Sequence, residues 1–164
     1  MSDGIVLHLE TDPDQREWYT PLLRQYGEVL SIPSEYAFRE AVTGLARSHR
    51  LPARLALLDM VVLWSEPAKE IPERPVDVGG GGMRYAGARC GKFLLESEET
   101  FVQGGQHTPL IMIAALDESY VRMAMRSVFK DSVPRYKFID KTDLTEDAFH
   151  RAVSEALGSG FIIA

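Results

Sequence analysis

The chain has 164 residues, 45% of them hydrophobic and 26% charged, with a formal charge of −6. That suits one globular domain with its own core, and it argues against nucleic acid or an anionic membrane as partner, since both need a basic face. One cysteine, Cys90, excludes an internal disulfide and a thiolate zinc set and fits a cytoplasmic location. No apolar run nears the ~18 residues of a membrane span, and the first residues lack the basic-then-apolar order of a signal peptide.

Short apolar runs alternate with amphipathic segments. Ile5–Leu9 reads as a buried strand, followed by the acidic turn Glu10-Thr11-Asp12-Pro13-Asp14. Over 15–26, Tyr19, Leu22, Leu23 and Tyr26 share one helical face. Pro21 lies inside that pattern at a cost of about 3 kcal/mol, predicting a kink or a restart. Gly27 is expected to close the helix before a strand at Val29–Ile32. Ser34 is the expected N-cap of a helix carrying Ala37, Phe38, Ala41, Val42 and Leu45. Leu55–Asp59 is a third strand.

Residues 60–82 break the rhythm with Pro67, Pro72, Pro75 and Gly79–Gly82. Such a stretch inside a compact domain is functional or mobile, and mobility is expected over 66–82. Helical spacing returns with Met83, Ala86, Cys90, Phe93 and Leu94, then a polar loop over 96–108 is expected. Leu110–Ala114 is a fourth strand, 118–130 a helix with an apolar face, 136–139 a fifth strand, and Phe149 to Leu157 stripe a last helix. Nearly continuous apolar strands separated by helices indicate a parallel sheet covered on both faces. The expected fold is a single α/β domain over 1–164, doubly wound, with five parallel strands in the order 2-1-3-4-5.

In that order strands one and three are neighbours at the switch point, where such sheets bind ligands. Glu10, Asp12, Asp59 and Lys141 then converge at the strand ends. Clustered carboxylates with one ammonium suit a hard divalent cation and a phosphoryl group. Simpler roles fit the same residues: Asp59 can cap a turn, Asp12 or Asp14 can cap the first helix, and Glu10 can complement its dipole. His8, inside an apolar strand, reads as a satisfied core histidine, and Cys90 as packing. Gly87 to Phe93 imitates a phosphate loop but has Ala86 where the first glycine belongs and Phe93 where Ser/Thr belongs.

Four segments in this order, Val6 to Pro13, Leu55 to Asp59, Pro109 to Ala115 and Phe138 to Lys141, resemble the response-regulator receiver domain of two-component signalling, a flavodoxin-like fold. The resemblance implies that Asp59 is the phosphoacceptor and that Lys141 neutralises the phosphoryl group. It implies Mg²⁺ held by Glu10, Asp12 and Asp59, with Phe138 as the switch aromatic. It also implies a phosphorelay protein that is not itself an enzyme. Its partners would be a histidine kinase or phosphotransfer protein, a downstream protein, and a second copy through strand five and its flanking helices. No attached output region is expected, which leaves output to protein contacts. Three positions depart from the pattern. Thr11 stands at the second acid, Ala114 at the switch hydroxyl and Thr142 at the proline after the lysine. These departures motivate a second reading, a phosphorylation-independent pseudo-receiver that binds proteins. A third is a flavodoxin-like enzyme with 60–82 as a lid, since one fold hosts many chemistries.

Overall fold

The structure is a computed structural model that describes residues 4–66 and 82–158. Five parallel strands, β1 (Ile5–Leu9), β2 (Glu28–Ile32), β3 (Leu55–Asp59), β4 (Leu110–Ala114) and β5 (Tyr136–Asp140), form one sheet in the order β2-β1-β3-β4-β5. This is the doubly wound, flavodoxin-like order. Between them run α1 (Pro13–Leu23), α2 (Glu35–Arg47), α3 (Ala86–Phe101) and α4 (Glu118–Phe129), and α5 (Glu146–Gly158) follows β5. Among the described residues no helix is long and apolar enough to cross a membrane.

The central strands β1, β3 and β4 are buried at every position. Successive side chains point to opposite faces. Leu7, Leu9, Ala56, Leu58, Leu110 and Met112 therefore meet α2, α3 and α4. Val6, Leu55, Leu57, Ile111 and Ile113 meet Tyr19 and Leu23 of α1 and Phe149 and Val153 of α5. Two apolar layers explain why these strands lack a polar alternation.

Several boundaries follow local chemistry. Asp12 is the N-cap of α1, its Oδ1 accepting from Asp14 N at 2.9 Å and Gln15 N at 3.4 Å. Ser34 caps α2 by accepting from Ala37 N. The first helix does not restart at Pro21. It runs through that exposed proline and ends at Leu23. Gly27 has a different use from closing it, because a Cβ there would stand 2.1 Å from Gly4 O. The loop expected over 96–108 begins later, since α3 continues to Phe101. Glu98 explains the extra turn. It is buried and accepts from Thr108 N at 3.0 Å and from the Thr108 hydroxyl, which in turn accepts from Ala53 N. Met83 lies in a short 3-10 turn, Gly82–Tyr85, and is exposed rather than on the apolar face of α3.

The mobility expected of 66–82 falls almost wholly on 67–81, outside the described residues. Up to Trp64 the chain is held by backbone hydrogen bonds to α2. Glu35 N donates to Leu63 O at 3.0 Å and Tyr36 N to Trp64 O at 2.9 Å. After 67–81, Gly87 N donates to Met60 O at 3.2 Å. A buried ion pair also joins α2 to α3, Arg89 Nε lying 3.0 and 3.1 Å from the two Glu35 carboxylate oxygens. Met60 and Gly87, on either side of 67–81, are thus in direct contact.

Candidate functional site

The carboxyl ends of β1, β3 and β5 bring Glu10, Asp59 and Lys141 together. Strand alternation puts Glu10 on the side of Val6 and His8, and Asp59 on the side of Leu55 and Leu57. Lys141 follows Ile139 on the same side, and its backbone N–H donates to Ala114 O at 2.9 Å, one residue past the last paired position of β5. Its ammonium donates to Glu10 Oε2 at 2.5 Å and to Asp59 Oδ2. Glu10 Oε1 accepts from Asp12 N at 3.0 Å, and Asp59 Oδ1 from Val61 N at 2.9 Å. Asp59 is therefore both the partner of Lys141 and the cap of its own turn.

The cluster is nearly enclosed. Asp59 is 5% exposed, Glu10 3% and the Lys141 side chain 16%. Burial, reinforced by the neighbouring charge of Asp59, raises the Glu10 pKa against the pull of Lys141. Burial alone would lower the Lys141 pKa, but Asp59 and Glu10 outweigh it and the net shift is upward. The lysine is held as an ammonium, a fixed positive charge against two carboxylates. Burial, with the charges of Glu10 and Asp59 added, also raises the phenol pKa of nearby Tyr19.

The three-carboxylate metal set is not assembled. Asp12 is committed to the α1 N-cap, and among the described residues no three His, Cys, Asp or Glu side chains gather as a metal cage. The Thr11 hydroxyl accepts from Leu63 N at 3.1 Å and ties the loop after β1 to the chain leaving β3. Two carboxylates remain. Mg²⁺ commonly takes one or two carboxylates and completes its shell with water and phosphate oxygens. Glu10 and Asp59 fit that reduced role.

Ala114 is buried at the end of β4, facing α4. Phe138 is half-buried and packs on the same core. Neither carries a polar link to Asp59. His8 is in the core as expected, but not satisfied. Both ring nitrogens lack a hydrogen-bond partner, the ring meets Tyr19 edge-on at 5.4 Å, and burial lowers its pKa to about 4. Cys90 is fully buried and burial pushes its thiol up, consistent with packing.

Arg16 was not singled out by the sequence, and Gly87 and Arg89 figured there only within the rejected phosphate-loop pattern. Arg16 donates to Glu10 O and Thr11 O, each at 2.7 Å, and fixes the β1–α1 turn. Gly87 approaches so closely that a Cβ would stand 2.3 Å from Asp59 O. Arg89 was an available signal, a cation inside the apolar stretch from Ala86 to Cys90.

No family model matches the sequence, and no curated protein does. Solved structures match almost the whole chain. The N-terminal domain of a response regulator/sensory box/GGDEF three-domain protein from Carboxydothermus hydrogenoformans is 19% identical, with a TM-score of 0.58 over 94% of both chains. A response regulator receiver protein from Sinorhizobium medicae is 12% identical, with a TM-score of 0.60 over 96% of both. The receiver domain of a sensor histidine kinase from Pseudomonas aeruginosa, with magnesium coordinated in its active-site cleft, is 12% identical, with a TM-score of 0.58 over 96% of this chain and 99% of that one. The chain has the fold of response-regulator receiver domains, with Glu10, Asp59 and Lys141 at the carboxyl edge of its sheet.

Proposed function

We propose that the chain is a receiver-like signalling domain in which Asp59 accepts a phosphoryl group from a histidine kinase or phosphotransfer protein. The observation that carries this reading is Lys141, whose ammonium bonds both Glu10 and Asp59 across the strand ends. A carboxylate oxygen of Asp59 attacks phosphorus of a phosphohistidine. The new P–O bond forms as the P–N bond breaks, and the imidazole leaves with the electron pair and takes a proton from solvent. Lys141, kept protonated by its two anions, faces the incoming phosphoryl oxygens and offsets their charge. Glu10 orients that ammonium. Mg²⁺, held by Glu10 and Asp59, would supply further charge neutralisation. Output passes through protein contacts in the cytoplasm, with no turnover of a substrate by the domain itself.

The test is incubation with acetyl phosphate and Mg²⁺ followed by intact mass. The expected result is one phosphoryl adduct, absent in Asp59→Asn. A second reading, a protein-binding module indifferent to phosphate, is favoured by the Ala114 methyl and by the engaged Thr11 hydroxyl. It predicts no adduct and no Mg²⁺ binding at millimolar concentration that depends on Asp59.

A further inference from the structure

Residues 60–64 lie as a strap over the carboxyl end of the sheet. Met60 N donates to Ile113 O at 3.1 Å, Val61 N to Asp59 Oδ1 at 2.9 Å and Leu63 N to Thr11 Oγ1 at 3.1 Å. From the other side, the first turn of α2 donates Glu35 N to Leu63 O and Tyr36 N to Trp64 O. The strap ends in an aromatic cluster between α2 and α3. The Trp64 ring meets Tyr36 edge-on at 5.6 Å. The Arg39 guanidinium lies 6.0 Å from the Trp64 ring and 4.8 Å from that of Phe93.

We propose that this strap transmits the state of Asp59 to the α2–α3 face through Val61, Leu63 and Trp64, in place of a route through Ala114 and Phe138. The inference takes from the proposed function only the natural trigger, phosphorylation of Asp59. Ala114 ends in a methyl group and cannot follow a change at the carboxylate by hydrogen bonding. The strap can, because its Val61 N–H is bonded directly to the Asp59 oxygen opposite the one that meets Lys141. A carboxylate is a charge-assisted acceptor. Once Asp59 is an acyl phosphate that charge has moved onto the phosphoryl oxygens, and the Val61 bond weakens. The next links, Leu63 to Thr11 and α2 to Leu63 and Trp64, are hydrogen bonds along the strap, so a displacement at Val61 reaches Trp64 along its backbone. Thr11 is then a positioning residue that holds the strap.

Trp18 and Trp64 are the two tryptophans of the sequence, so Trp18→Phe leaves Trp64 as the sole reporter. In that background Asp59→Ala removes the acceptor of Val61 and Thr11→Val that of Leu63, whereas Thr11→Ser retains it. Asp59→Ala and Thr11→Val are expected to shift Trp64 emission and to speed amide exchange at Leu63, Glu35 and Tyr36 about fivefold, the factor for one lost hydrogen bond. Thr11→Ser is expected to do neither. Acetyl phosphate with Mg²⁺ should produce the Asp59→Ala shift in proportion to the adduct seen by intact mass. An adduct without a Trp64 shift overturns the inference and leaves the phosphoacceptor reading standing. No adduct, with Asp59→Ala still moving Trp64, supports the strap and retires that reading. Unchanged Trp64 emission and exchange in Thr11→Val, which keeps all three charged groups of the ion cluster and so keeps the test open if Asp59→Ala unfolds, also overturns the inference.

Discussion

The Arg89–Glu35 pair joins the start of α2 to the start of α3, and its removal should be costly. Glu35 is 1% exposed and Arg89 5%, and the guanidinium Nε lies within 3.1 Å of both carboxylate oxygens. Arg89→Met leaves a buried carboxylate without that cation. Breaking a buried pair from one side costs about 3–5 kcal/mol. Against a total stability of about 5–15 kcal/mol this is a large fraction. At roughly 2–4 °C per kcal/mol for a domain near this size, the melting temperature should fall by about 10 °C. The partner variant Glu35→Leu should also be destabilising, because it takes this carboxylate away from a buried guanidinium. The double variant Arg89→Met/Glu35→Leu removes both charges and fills the space with apolar atoms. It should recover most of the loss, since buried pairs are often replaceable by well-packed hydrophobes. The assay is urea unfolding of wild type, both single variants and the double, read as a double-mutant cycle. Single-variant losses below about 1 kcal/mol, or losses that simply add in the double variant, would refute the reasoning.

Other consequences follow from named contacts. In Gly87→Ala, all three nearest atoms to the new Cβ are backbone atoms of Asp59 and Met60, at 2.3 to 2.9 Å. The chain must shift there, with an expected loss of about 1–3 kcal/mol and slower Asp59 labelling by acetyl phosphate; unchanged labelling and stability would contradict the close approach. Lys141→Met leaves two buried carboxylates facing each other, and thermal melts should show a loss of about 3–5 kcal/mol at neutral pH, reduced in acid as one carboxylate takes a proton. Burial raises the Glu98 pKa above its ordinary 4.5, against hydrogen bonds from Thr108 and His107. The native state then holds a proton that the unfolded chain has released. Glu98 therefore contributes stability below pH 4.5 that is lost as pH rises through the elevated native value. Glu98→Gln should remove that part of the pH slope in urea midpoints, and a slope identical to wild type would show that Glu98 does not titrate abnormally.

The central strands were readable because β1, β3 and β4 are five-residue runs buried on both faces, and they appear in the sequence at their observed boundaries. The order of the sheet and the meeting of Glu10, Asp59 and Lys141 followed from placing those runs in a doubly wound frame. The end of α3 was not readable locally. Glu96, Glu98 and Glu99 look like a solvated loop, and only the Thr108 contact, ten residues on, explains why Glu98 is inside. Asp12 was legible both as a cap and as a metal ligand, and the structure shows the cap. The strap was hidden for a related reason. Its bonds join backbone groups of 61–64 to Thr11, Glu35 and Tyr36, tens of residues away, and no side-chain pattern at 61–64 announces them. His8 shows the limit of reasoning from frequency. A buried histidine usually finds a partner, and this one has packing against Tyr19 instead.

The central claim is that Asp59, opposed by Lys141, is a phosphoacceptor. The most direct measurement is intact mass of the wild-type chain after acetyl phosphate and Mg²⁺, beside Asp59→Asn treated identically. The account predicts a single phosphoryl adduct on wild type and none on the variant. Unmodified wild type, under conditions that label an ordinary receiver domain, or an adduct that persists in Asp59→Asn, would contradict it.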